Sequence, residues 1–120
     1  MIEDDKIKVI TILSIMFGVD SYDITTLKSR KKNKVKARKY FNYYLNKHQN
    51  IKHVNMHRYI KNISHSNSVY LKKQMEFEME FYPNEKTDWI NFLFFADYNA
   101  WENLATIKNY NNLKKIKNEN

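Results

Sequence analysis

Val9, Ile12, Leu13, Met16 and Phe17 recur at spacings of three and four and are followed by Gly18. That period draws one apolar stripe on a helix, and glycine suits the residue just past a helix end. The pattern predicts a helix over about residues 4–17. In "VDSYDITTLK" either Asp20 or Ser21 can cap a short helical turn. A longer stripe follows at Ala37, Tyr40, Phe41, Tyr44, Leu45 and His48, with Lys32, Lys36, Lys39 and Lys47 on the opposite side. This is the pattern of an amphipathic helix that buries its aromatics and turns a basic face outward. Met56, Tyr59, Ile60 and Ile63 repeat the arrangement over a shorter span. "SHSNS" then interrupts it, so Ser64 or Ser66 is expected to cap a new helix running through "VYLKKQMEFEMEFY" until Pro83 stops it.

Two stretches are less simple. "MEFEMEF" alternates with period two, which is also the signature of a half-buried strand. Read as a helix, it sets Leu71, Met75, Met79 and Tyr82 on one face and Tyr70, Phe77 and Phe81 on another, and two apolar faces need two coverings. "TDWINFLFFADYNAWENLATI", residues 87–107, is apolar nearly all round, with Thr87 and Asp88 as a helix start. Such a helix is expected to be buried inside the monomer or against a second copy. The remaining "KNYNNLKKIKNEN" is polar.

A short helix, a tight turn and a second helix opening on small polar residues is how a helix-turn-helix reads in sequence. The expected fold is therefore all-α: a helical bundle containing a helix-turn-helix, with a C-terminal helical extension. The alternative is a winged helix with residues 75–82 as a strand. The expected organisation is a helix-turn-helix domain over 1–83, an aromatic extension over 84–107 that packs on it or dimerises, and a polar tail over 108–120.

Composition narrows the picture. A chain of 120 residues suits one compact domain. It has one glycine and one proline, few of the turn residues that multi-stranded β folds consume. One glycine also excludes a phosphate-binding loop of the G-x-x-x-x-G-K-[ST] kind. The absence of cysteine removes disulfides, thiolate catalysis and cysteine-ligated zinc. The start "MIEDDKIK" is acidic where a secretory signal is basic, and "VITILSIMFGV" is too short to span a bilayer, so a cytoplasmic location without a membrane role is expected.

Charge changes the picture more. The net charge of +8 divides into −3 for residues 1–23, +14 for 24–75, −6 for 76–106 and +3 for 107–120. The middle segment contains no aspartate or glutamate. A solvated helix normally mixes signs, because like charges at i,i+4 repel. A polyanionic partner is the simplest source of relief.

Ile7 through "FGVDSYDITTLKSRKKNKVKARKYFNYYLNKH" and on to "MHRYIKNISHSNSVYLKKQME" resembles the C-terminal DNA-binding domain of DnaA-type bacterial replication initiators. In that family a first helix ends near an "FGV"-like corner, a basic loop reads "SR" plus further cations, "AR" opens a long helix eight positions on, and a helix-turn-helix closes on "D-H-S-T-V". Ser29-Arg30, Val35 and Ala37-Arg38 follow that spacing. "ISHSNSVY" departs, lacking the aspartate and its preceding glycine. One register equates His65 and Ser66 with the motif's His-Ser; another equates Ser66, Asn67 and Ser68 with its Asp-His-Ser. The ATPase that such initiators carry has no counterpart here, and the acidic, aromatic-rich extension past Glu76 has none in the family pattern.

The resemblance implies a double-stranded DNA partner, with Arg30 and Lys31 entering the minor groove or clamping phosphates. Lys34, Arg38, Lys72 and Lys73 are expected to hold the backbone. His65, Ser66, Asn67 and Ser68 are the expected base readers, Asn67 through paired hydrogen bonds to adenine; the plainer role for Ser66 and Asn67 is helix capping. Residues 87–107 are expected to supply a homodimer contact, setting two recognition helices against two half-sites.

Other chemistry is weaker. His53 and His57 have the i,i+4 spacing of helix-borne metal ligands, but neither carboxylate nor cysteine lies nearby in sequence to complete a site. Glu76, Glu78 and Glu80 alternate with Met and Phe and read as a solvated edge. No enzyme activity, metal, cofactor or small-molecule substrate is expected. An RNA-binding protein would use the same positive segment. A structural or adaptor protein, for example in a phage particle, would instead work through the aromatic extension.

Overall fold

The computed structural model of the protein describes residues 3–97. They form a helical bundle in which one central helix is covered from several sides. Helix α1 spans Glu3–Phe17, α2 Ser21–Thr25, α3 Lys32–His48, a 3₁₀ helix His53–Arg58, α4 His65–Phe81 and α5 Pro83–Asp97. Among the described residues no strand forms; Thr26 and Lys61 make a single isolated bridge. Residues 75–82 lie in or just beyond α4, so the winged-helix alternative is corrected. Period two failed there because Phe77 and Phe81 stay exposed on a helix and have no sheet partner.

Local chemistry sets the helix ends. Gly18 sits at φ 63 and the Val19 N–H donates to the Ser14 carbonyl at 3.1 Å, the closing bond of a glycine-ended helix. The chain then re-enters helix at Ser21, with the Asp20 N–H donating to the Asp23 carboxylate at 3.2 Å. Ser64 rather than Ser66 caps α4. Its hydroxyl accepts from the Asn67 N–H at 3.1 Å, while the Asn67 side-chain oxygen accepts from the Ser64 N–H at 3.3 Å and the Ser64 hydroxyl at 2.7 Å. Pro83 opens α5, where its missing N–H costs nothing. Helix α5 thus starts one turn before the Thr87 expected from sequence.

Helix α3 is the core of the molecule: every residue from Ala37 to Leu45 is buried. Its apolar stripe meets α1 through Phe17, whose ring lies edge-on to Tyr40 at 4.9 Å. Trp89 of α5 lies edge-on to Tyr43 at 5.0 Å and to Tyr40 at 5.4 Å, and Phe92 packs against Tyr44 at 5.6 Å. Such aromatic pairs add about 0.5–1.5 kcal/mol each beyond area burial. Of the two roles open to the extension, residues 87–97 therefore cover the core; 98–107 and the tail 108–120 lie outside the described residues.

Of the expected basic outer face of α3, Lys32 and Lys47 stay exposed while Lys36 and Lys39 are covered. Lys39 is buried and paired with Glu78 of α4, and Lys36 reaches Glu85 at 2.9 Å and Asp88 at 3.7 Å on α5. Glu78, Glu85 and Asp88 of the negative segment thus fold back over two lysines of the positive one. The other apolar face of α4 has no covering among the described residues, with Tyr70, Phe77 and Phe81 all more than half exposed.

Replacing Gly18 by Ala forces a Cβ into the left-handed region where no neighbour clashes. The loss should be backbone strain alone, about 1 kcal/mol in urea unfolding, with α-helical circular dichroism unchanged.

Candidate nucleic-acid interface

The loop between α2 and α3 carries Lys28, Arg30 and Lys31, followed by Lys32 at the first position of α3, all exposed. None forms an ion pair with a described residue; the paired cations are Lys34, Lys36 and Lys39. A loop of like charges needs an anchor, and Arg38 provides it from below. The Arg38 side chain is 2 % exposed. Its guanidinium donates to the Asp23 carbonyl at 3.1 and 3.0 Å and to the Ser29 carbonyl at 3.2 and 3.3 Å. Burial pulls the Arg38 pKa below its usual value, and the nearby Asp23 charge opposes that. Burial also pushes the Asp23 carboxyl up, but the hydrogen bond from Lys34, the Asp20 N–H and the charges of Lys34 and Arg38 outweigh it and hold Asp23 below the usual range. Lys34 sits 3.1 Å from that carboxylate.

The loop is tied to α4 by backbone. Leu27 N–H donates to the Lys61 carbonyl at 2.8 Å and Lys61 N–H to the Thr25 carbonyl at 2.7 Å, joining the end of α2 to the turn before α4. Asn62 in that turn adopts φ 70. Between loop and helix runs a cleft of 350 Å³, with Lys28, Arg30 and Val35 on one wall and Asn67, Tyr70 and Leu71 on the other. Next to it, His65, Ser66, Val69, Tyr70 and Lys73 line an open concavity on the outer face of the first turns of α4.

These placements sort the expected site residues. Arg30, Lys31, His65, Ser66, Asn67 and Lys73 are exposed, and Lys72 is half-buried. Arg38 is corrected from backbone contact to loop anchor, since a guanidinium inside the protein cannot meet a phosphate. Ser68 is corrected as well. It is fully buried and its hydroxyl donates to the Asn42 side-chain oxygen at 2.7 Å, so it cannot reach a base edge. The Asn67 oxygen is used in the cap, leaving the amide N–H₂ as its outward group. Lys34 is half-buried and its ammonium is shared with Asp23.

Sequence reasoning missed Lys28, Lys61, Val69 and Tyr70. Tyr70 was assigned to an apolar face, yet it is 62 % exposed beside the cations. The period of α4 could have revealed Val69 and Tyr70, since they share a side with Ser66 and Lys73 at i,i+3 and i,i+4.

Beneath α4 lies a polar chain whose proton order is fixed. The Asn42 amide nitrogen donates to the Ser68 carbonyl at 3.0 Å, so its oxygen faces the Ser68 hydroxyl. That hydroxyl proton is committed to Asn42, and the His53 Nδ1, 2.6 Å from Ser68 Oγ, must carry a proton and donate it. His57 turns away and its Nδ1 lies 3.0 Å from the Val54 carbonyl, so the two histidines do not converge as metal ligands. Among the described residues no group of three metal-capable side chains occurs, and no helix is long and apolar enough to cross a membrane.

The described residues thus define an all-α helical bundle with an unpaired cationic loop beside the start of one helix. No family model, curated protein or solved structure matches the chain.

Replacing Arg38 by Met should strip the Asp23 and Ser29 carbonyls of their donor. The expected loss is about 2–4 kcal/mol in chemical denaturation, with hydrogen exchange of residues 27–32 accelerated more than that of α1. A second expectation concerns pH. Burial, then the charges of Lys72, His65 and Lys47, hold His53 below its ordinary value. A depressed folded pKa makes stability full above the unfolded value near about 6.5 and lost as pH falls through the lower folded one. The stability of the native protein relative to a His53→Asn variant should therefore decline on going from pH 7 to pH 5, as read by thermal melts at fixed ionic strength.

Proposed function

We propose that the protein binds double-stranded DNA without catalysing a reaction, using the 3₁₀ helix, the turn at Asn62 and α4 as a helix-turn-helix. The observation that carries this reading is the cleft between the loop of unpaired cations and the outer face of α4. A duplex backbone laid in it would meet Lys28 and Arg30 on one side and Asn67 and Tyr70 on the other, with Lys73 in the adjoining concavity. Lys32 at the start of α3 also supports it: it is exposed, has no ion pair with a described residue and lies in a first turn where the helix dipole disfavours positive charge by about 0.3–1 kcal/mol. A chain that keeps an unpaired lysine there gains when a polyanion arrives.

The roles divide by chemistry. Arg30, Lys31, Lys72 and Lys73 hold phosphates and set register without reading sequence. His65, Ser66 and the Asn67 amide present donors toward base edges, and the Val69 methyls suit a thymine methyl. The resemblance to replication initiators supports this division, and on it the protein would act in replication or transcription control in a bacterial cytoplasm or a phage-infected cell. RNA is the competing polyanion, and its A-form groove would exclude α4.

The test is fluorescence anisotropy on a labelled duplex across a salt series. Replacing Arg30 and Lys31 together by Ala should lower the magnitude of the slope of log K against log salt by about 2, and weaken all duplex sequences alike. An unchanged slope removes the loop from the interface. Preference for structured RNA over duplex at the same salt transfers the cationic surface to RNA.

A further inference from the structure

The proton chain under α4 has an unused end. His53 Nδ1 is committed to Ser68, which is committed to Asn42, so the imidazole is held in one orientation and its Nε2 is the group left to respond. No described residue is shown hydrogen-bonded to that Nε2. The ring belongs to the 3₁₀ helix and stands edge-on to His65, the first residue of α4, at 6.2 Å. The groups that act on it from the elements packed around it are Lys72 and His65 of α4 and Lys47 of α3, every one of them basic. On its own element His57 is bonded to backbone and Arg58 is exposed. Burial first, and then these basic neighbours, disfavour the protonated ring, and the arrival of an anion beside it opposes both.

We propose that His53 is a proton-linked phosphodiester ligand: as a nucleic-acid phosphate settles beside His53, His65 and Lys72, the ring takes up one proton on Nε2 and donates it to a phosphate oxygen. This rests on the DNA-binding reading above and adds to it a ligand that the sequence motif does not contain. The proton comes from solvent, the ring gains one positive charge and Ser68 keeps its hydrogen bond throughout. His53 also positions α4, because the same ring ties the 3₁₀ helix to Ser68. The pH response distinguishes the two roles, since a purely structural hydrogen bond from Nδ1 is present in both protonation states.

Asn at position 53 can keep the donation to Ser68 through its amide while losing the ability to titrate. The experiment measures affinity for one fixed duplex from pH 6 to pH 8 at constant ionic strength, for the native protein and for His53→Asn. Proton uptake is read in parallel by calorimetry in two buffers of different ionisation enthalpy. Native affinity should fall about threefold to tenfold over that range, a ceiling of about tenfold corresponding to a bound-state pKa one unit higher. His53→Asn should show a shallower fall and take up fewer protons near pH 6.5. Equal proton uptake by the two proteins overturns the proposal while leaving DNA binding intact. Absence of duplex binding by the native protein at every pH overturns both readings. Should His53→Asn fold poorly, NMR titration of the His53 Hε1 resonance in the native protein decides alone: its pKa rises on adding duplex, or the proposal is wrong.

Discussion

The buried guanidinium of Arg38 is the constraint on which the cationic loop depends. A charged group inside a protein is stabilising only when nearly all its donors are satisfied. Here three of its nitrogens are satisfied by backbone carbonyls of Asp23 and Ser29, on either side of the chain reversal between α2 and α3. The geometry follows from that choice of acceptors. Carbonyls at Asp23 and Ser29 turned inward leave the side chains of Lys28, Arg30 and Lys31 pointing out. One buried cation thus organises several exposed ones, and the bridge from Leu27 to Lys61 carries the same order across to α4.

Electrostatics divides the positive segment into two populations with different fates. Lys34, Lys36 and Lys39 find carboxylates from Asp23, Glu85, Asp88 and Glu78. Desolvating them costs free energy that the pairing and hydrogen bonding offset, so they fasten α3 to its neighbours and add little to an external field. The loop and the turn before α4 receive no such partners among the described residues. The opposite signs of residues 24–75 and 76–106 are therefore partly an internal complement. The cations without such partners, Lys28, Arg30 and Lys31 among them, are the ones an external polyanion would meet.

Much of the fold was legible because helices announce themselves by period and by their ends. The stripe of α1, the glycine that closes it, and the Ala37 to Leu45 stripe of α3 all predicted what formed. Burial on the second face of α3 was not legible, since Lys36 and Lys39 look solvated until distant acids are brought across them. Arg38 was misassigned for a related reason. A guanidinium in a basic run looks like a phosphate contact, and only the path of the loop around it reveals that backbone carbonyls use it first. Ser68 and Tyr70 exchanged expectations: the hydroxyl went inside because Asn42 offers it an acceptor, and the ring stayed outside because no described helix covers that face. The signal that His53 carried was its i,i+4 spacing from His57, whereas the partners it meets, Ser68 and through it Asn42, are brought to it by the fold.

Helix α4 also limits how a duplex can meet it. Ser66, Lys73, Phe77 and Glu80 follow one another along a single exposed side at i,i+3, i,i+4 and i,i+7 spacings, so its opening turns are polar and basic and its closing turns aromatic and acidic. A duplex lying along the whole helix would set Glu76 and Glu80 against phosphates in a setting of reduced dielectric, where like charges repel strongly. The stretch from His65 to Met75 is free of acids, and at 1.5 Å per residue it is roughly 15 Å long, enough to cross a major groove roughly 12 Å wide. On the DNA-binding reading the helix therefore enters by its first turns, and the acids hold its far end away from the backbone. That orientation points the N-terminal N–H groups and His65 at the duplex and leaves Phe77 and Phe81 outside the groove. On the same reading, the glutamates that alternate through "MEFEMEF" would decide which end of the helix faces the duplex.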